Sequence, residues 1–257
     1  MSSDKINFTK DNIDSFLKEL GKEYRKLNKH GQPAELIIVG GVSAIVNYDF
    51  RESTTDIDAL FHTDWAFKDA IQNVGDKFGL PDGWLNNDFK YTDSYSDKLI
   101  EHSKFYKSFY SLDVRTVSGE YAIAMKLVSD RNYKSDNSDI IGIIKDEKNK
   151  GNEITFEKID KAIIELYDDW GKVPERNIVF LKDVLASKDL DSVYKDKIKE
   201  EALNRNCLEK AKEKYGNIVT NDNADTFIDF FKENDTDDDE KIENYDNDDY
   251  DNYDSVD

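Results

Sequence analysis

Residues 35–60 read ELIIVGGVSAIVNYDFRESTTDIDAL, and the fold turns on this stretch. Glu35 to Val39 is a short apolar run of strand type, and Gly40-Gly41 follows it at once. Val42 to Val46 then turns the chain into a short helix. The second half of Arg51–Phe61 alternates polar and apolar residues, as a half-buried strand does. Strand, Gly-Gly, helix and second strand make an α/β beginning. Glycine tolerates positive φ and carries no side chain, so backbone there can approach a ligand closely. The free N–H groups of the following helix favour a phosphate at the same place. Asp56 and Asp58, at i and i+2 on a strand, face one side about 6–7 Å apart. Two such carboxylates are the hard oxygen ligands that a Mg²⁺ ion on nucleotide phosphates requires. Arg51 and the hydroxyls of Ser53, Thr54 and Thr55 add candidate phosphate contacts. In so acidic a chain Asp-x-Asp alone also fits a solvated face, and Gly-Gly an ordinary turn. The order of the pieces is what favours a site. Gly-x4-Gly-Lys-Ser/Thr and Gly-x-Gly-x-x-Gly are both absent.

Upstream, residues 10–29 have helical spacing, with Ile13, Phe16, Leu17, Leu20 and Tyr24 on one face. Downstream, residues 64–79 repeat that spacing, and 80–108 read as loops with short elements. Ser111 to Val117 is a strand candidate, and 119–130 a helix entered through Ser118 as N-cap. Arg131 to Ser138 reads as a polar loop before a helix starting near Asp139. Helical pattern then covers 156–170, 175–187, 190–215 and 224–232. The expected class is α/β, a mixed sheet flanked by helices over 1–150, with an all-helical region over 151–232. Phe105, Tyr106, Phe109 and Tyr110 read as core rather than as a nucleobase platform.

The chain has 257 residues, 36 Lys+Arg against 56 Asp+Glu, and a net charge of −20. Thirteen acids and one lysine between Glu233 and Asp257 supply −12 of it. That segment has almost no aliphatic residues to offset its ordering entropy, so a disordered acidic tail is expected at 233–257. The global charge argues against nucleic acid or anionic membranes as general partners. Lysines alternate with acids along 195–214, the pattern of a salt-bridged helix rather than an RNA platform. The N-terminus lacks the apolar core of a secretory signal, and no apolar run approaches about 18 residues. Cys207 with three scattered histidines makes neither a disulfide nor a Cys/His zinc cluster. A cytoplasmic protein is expected.

Three stretches, VGGVSAIVNYDFRESTTDIDAL (39–60), DGWLNNDFK (82–90) and LDVRTVSGEYAIAMKLVSDRNYKSDNSDI (112–140), resemble the nucleotidyltransferase superfamily. Ala124-Met-Lys-Leu127 resembles the bacterial branch of AbiEii- and MenT-type toxins. The resemblance implies Asp56 and Asp58 as the metal-binding pair, Gly40 and Gly41 as the phosphate-side turn, and Lys126 as a triphosphate contact. It implies Asp139 as an active-site acid and Asp113 as the third metal carboxylate. Ser43, Arg51, Thr54 and Thr55 complete the implied nucleotide site. Other readings stand beside these: Lys126 snorkelling from a core helix, Asp139 as a helix cap, Asp113 as a solvent-facing strand residue, and Trp84 and Asn86 as loop-shaping residues. The implied activity is Mg²⁺-dependent transfer of a nucleoside monophosphate from an NTP to a hydroxyl of tRNA, protein or a small molecule, using one or two ions. A cognate antitoxin is the implied partner if the toxin branch holds. The rival expectation is a degenerate nucleotide-binding or partner-binding module.

Overall fold

The computed structural model describes residues 6–29, 31–62 and 64–234; residues 235–257, nearly all of the expected acidic tail, lie outside these. The chain runs β1 (Phe8–Thr9), α1 (Ile13–Leu27), β2 (Ala34–Ile38), α2 (Gly40–Asn47), β3 (Ser53–Thr54) and β4 (Ile57–Phe61). It continues through α3 (Trp65–Phe78), β5 (Leu85–Asn86), α4 (Leu99–His102), β6 (Ser103–Phe109) and β7 (Leu112–Val117). Helices α5 (Gly119–Ser129), α6 (Asp136–Asn149), α7 (Phe156–Tyr167), α8 (Glu175–Ala186), α9 (Leu190–Tyr215) and α10 (Ala224–Asn234) follow.

The main sheet has the order β5-β4-β2-β7-β6, with β2 parallel to β7 and antiparallel to β4. Strand alternation divides it into two faces. Leu36, Ile38, Ile57, Ala59, Phe61, Leu112 and Val114 pack against α1 and α3. Ile37, Val39, Leu60 and Val117 belong to a second core with α5, α6, α7 and α8. A mixed sheet between helices is therefore the architecture, as the sequence predicts. A separate two-stranded pair joins β1 to β3, Phe8 opposite Thr54.

Three details differ from the sequence-based expectation. Strand β6 runs through a stretch that reads as loop. It is a sheet edge with a register shift between Phe105 and Lys107 and a mostly exposed outer run, so no clean alternation marks it. Phe105 and Tyr110 are 61% and 53% exposed and are not core, although Phe109 packs on the α1 side. Ser118 sits at the N-cap of α5 without a side-chain cap hydrogen bond.

The chain forms two compact units, with a division at 197/198. Among the described residues, the first comprises those within 6–131 and 135–197, and the second comprises 132–134 and 198–234. Helix α7 stays with the sheet because Ile159, Ala162, Ile163 and Leu166 complete the core shared with α5. Helix α8 stays because buried Asn177 donates from Nδ2 to Leu127 O at 2.8 Å, satisfying one of the terminal carbonyls of α5. In the second unit Tyr133, Cys207, Leu208, Ala211, Val219, Ala224 and Ile228 form a small core.

Asn177→Ala is expected to lower unfolding stability by about 1–3 kcal/mol, because the Leu127 carbonyl loses its partner in a dry place. Urea denaturation measures it. A chain ending at Lys197 should keep a cooperative transition, and one ending at Lys150 should lose it.

Candidate active site

Gly40 begins α2 with φ +60, in the left-handed region that glycine occupies without strain. A Cβ placed on it would lie 3.2 Å from Asp58 Oδ2. A Cβ on Gly41 would meet Thr54 Oγ1 at 2.7 Å and the Arg51 guanidinium at 2.9 Å. The glycine pair thus leaves room for two things at once, the Asp58 carboxylate on one flank and Thr54 with Arg51 on the other. Asp56 stands one residue before β4 and is half-buried like Asp58, while Thr55 beside it is exposed.

Arg51 carries the site from the turn to the helices. Its guanidinium hydrogen-bonds Asp139 Oδ2, and the same oxygen takes Lys126 Nζ at 2.6 Å. Lys126 Nζ also donates to Asp136 Oδ1 at 3.1 Å. Arg131 closes the chain with two bonds to Asp136, Nε to Oδ2 at 2.9 Å and the second nitrogen to Oδ1 at 3.3 Å. Lys126, Asp136 and Asp139 are all buried. Burial alone would push the Lys126 ammonium down, but Asp139 and Asp136 outweigh it and hold its pKa above the usual lysine value. Burial likewise opposes ionisation of Asp136, and Lys126 and Arg131 outweigh it, holding that carboxyl below its usual range. Both groups are charged at neutral pH.

Two of the nominated residues take other places. The Ser43 hydroxyl is buried and bonded to Thr116 Oγ1 at 2.8 Å, with Asn47 Nδ2 donating to Thr116 Oγ1 at 2.9 Å. Ser43 therefore fastens α2 to β7 and does not turn its hydroxyl toward the glycines. Asp113 pairs with Glu35 at the far end of β7 and hydrogen-bonds Ser108 Oγ. Ile38 lies opposite Ala59, so Asp58 falls level with Val39; Ile37 lies opposite Arg115, so the same row reaches β7 at Val117. Four residues of strand, about 13 Å, separate Asp113 from that row. Asp113 is not a third carboxylate beside Asp56 and Asp58.

The sequence reading missed Asp136 and Arg131, which fall in its polar loop. Helix α6 begins at Asp136, three residues earlier than expected, and i,i+3 spacing then puts Asp136 and Asp139 on one helix face. That spacing was the available signal. Asn86 pairs with Asp58 across β5 and β4 and accepts from Asp88 N at 3.0 Å.

Among the described residues no group of three or more His, Cys, Asp or Glu side chains is placed to hold a metal ion. Asp58 beside Gly40, with Asp56 two residues before it, still fits Mg²⁺, which commonly takes one or two protein carboxylates and fills its shell with phosphate oxygens and water.

A strand, a Gly-Gly turn at a helix start and paired carboxylates on the antiparallel neighbour define a nucleotidyltransferase type of site. The family described as nucleotidyltransferase of unknown function (DUF6036) matches residues 15–180, which hold every residue of this site, and the chain belongs to it. No curated protein and no solved structure matches the chain.

Lys126→Met leaves buried Asp136 and Asp139 with one cation each, Arg131 and Arg51, and should cost about 1–3 kcal/mol at pH 7. Asp136 has a lowered folded pKa, so its contribution is present above the unfolded value of about 4 and is lost as pH falls through the folded one. The variant's deficit should therefore shrink in acid, as the Asp136 carboxyl protonates. Urea denaturation at pH 7 and pH 4 measures both parts.

Proposed function

We propose that the protein transfers a nucleoside monophosphate from an NTP to an acceptor hydroxyl, with Mg²⁺ held by Asp56 and Asp58. The observation that carries this reading is the continuous chain of contacts from the Gly40-Gly41 turn through Arg51 to Asp139 and Lys126. Residues from four separate stretches converge there, and a folding role alone does not call for a glycine pair beside an arginine that a buried carboxylate links to a buried lysine. Bound Mg²⁺ would neutralise charge on the phosphate oxygens during transfer.

The chain's own residues do the rest. First-turn amides of α2 receive phosphate oxygens, since their N–H groups have no intrahelical acceptor. Arg51 and Lys126 bind the triphosphate, and Thr54 adds a hydroxyl beside the glycines. The acceptor oxygen attacks the α-phosphorus in line, a new O–P bond forms, and the bond to the β-phosphate oxygen breaks, releasing pyrophosphate. With Asp113 at the far end of its strand, Asp58 is the carboxylate that takes the hydroxyl proton. Resemblance to the AbiEii- and MenT-type branch supports a toxin role and a tRNA end, a protein hydroxyl or a small molecule as acceptor. Arrest of growth on expression, relieved by Asp56→Ala, is the cellular form of that reading.

One observation favours a second reading. Apolar Val117 occupies the β7 position level with Asp58, and Asp113 lies four residues away along the strand, so β7 brings no carboxylate to the level of the pair. A degenerate member that binds nucleotide without turnover would show this.

The test is incubation with each radiolabelled NTP, Mg²⁺ and lysate or tRNA. Label should pass to one acceptor, and Asp56→Ala should reduce transfer at least about a hundredfold while far-UV dichroism stays unchanged. Nucleotide binding with no labelled product would favour the second reading, and full transfer by Asp56→Ala would overturn the first.

A further inference from the structure

Asp136 belongs to neither of the roles assigned above, yet it is 4% exposed and bears a charge. It has two cationic partners. Arg131, whose side chain is 34% exposed, grips both of its oxygens from the solvent side, and Lys126 takes Oδ1 from within. Asp139, by contrast, is shared: its Oδ2 serves both Lys126 and Arg51. The two carboxylates differ in what a phosphate would do to them. A triphosphate bound between Arg51 and Lys126 competes for the side of each cation that Asp139 now occupies. Asp136 is tied instead to Arg131, a cation that has no part in the proposed triphosphate site.

We infer that Asp136 is the positioning residue for Lys126: clamped by Arg131, it keeps the buried ammonium charged and in place while a nucleotide's phosphates take over from Asp139. This inference rests on the proposed role of Lys126 at the triphosphate. The charged groups that face Lys126 are Asp136 and Asp139 from α6 and Arg51 and Arg131 from the flanking loops. Helix α7 presents Ile159, Ala162, Ile163 and Leu166 to the shared core. Without Asp136, burial works against the ammonium with only the shared Asp139 to oppose it.

Asp136→Asn keeps the shape and removes the charge, so it is the informative variant. Nucleotide transfer, or ATP binding by calorimetry, is followed from pH 7 to pH 10 in wild type, Asp136→Asn and Asp136→Asn with Lys126→Arg. Wild type should be flat to about pH 9.5. Asp136→Asn should acquire a descending alkaline limb at least one pH unit lower, about a tenfold loss per further unit. The double variant should lose that limb, because arginine remains charged throughout. A loss by the same factor at every pH, or a limb that arginine does not remove, overturns the inference and leaves Asp136 a structural residue.

A second measurement uses no nucleotide and so separates this inference from the function it rests on. Wild-type Lys126, with a raised folded pKa, stabilises the fold fully below about pH 10.4. In Asp136→Asn the folded pKa falls below the unfolded one, so the stability deficit should be largest near pH 7 and shrink toward pH 10. A deficit constant over that range overturns the inference, even if no NTP proves to be a substrate. Should Asp136→Asn fail to fold, Arg131→Gln loosens the same clamp and should shift both profiles in the same direction by less.

Discussion

Asp139 Oδ2, held at once by Arg51 and Lys126, is the contact on which the rest of the site depends. Arg51 comes from the loop between α2 and β3, next to the glycine turn, and Lys126 from the middle of a buried helix. Neither would be fixed by its own element. A long arginine side chain costs rotamer entropy to hold still, and a lysine in an apolar helix normally runs its head out to water. The buried carboxylate removes both freedoms. Its own desolvation is compensated because two cations, not one, surround it. A second carboxylate with a second arginine stands behind, and so the chain of charge from Arg51 to Arg131 is closed at both ends.

The sheet explains why these groups face each other. Alternation places Ile57, Ala59 and Phe61 against α1 and α3, which leaves Asp58 on the face shared with α5 and α6. Because β4 is antiparallel to β2, the start of β4 lies beside the end of β2, where the glycines begin α2. The same register sends Asp113 to the opposite end. An acid can therefore lie on the right face of the right sheet and still be four residues from the site. Buried Ser43 and Thr116 with half-buried Asn47 then lock α2 onto β7, so the glycine turn is held from beneath by bonds that no ligand need contribute.

Packing, not composition, decides where the first unit ends. Residues beyond 150 are all helical in pattern, which suggests a separate domain. Helix α7 nevertheless contributes Ile159, Ile163 and Leu166 to the core that holds α5, and α5 bears Lys126. The helices that look like an appendage are thus the back wall of the site's own support. No helix of the described residues is long and apolar enough to cross a membrane.

The sequence by itself determined most of the elements and nominated Gly40-Gly41 and Asp56-x-Asp58 as the centre of a candidate site. Periodicity located nearly every helix and the central strands, since a 3.6-residue or two-residue repeat is visible along the chain. Gly40-Gly41 and Asp56-x-Asp58 were legible for the same reason: their chemistry is local, within a turn and within one strand. Tertiary structure alone decided what depends on register and packing between distant segments. It set Asp113 away from the carboxylate pair, turned Ser43 inward and brought Arg51 to Asp139 across 88 positions of chain. It also joined Asp136 and Arg131 to Lys126. An ion pair leaves no periodic trace, because its partners are selected by how helices pack and not by their spacing in the chain. Edge strand β6 escaped for a related reason: with one side in solvent and a bulge in its middle, its residues obey no alternation that a sequence displays.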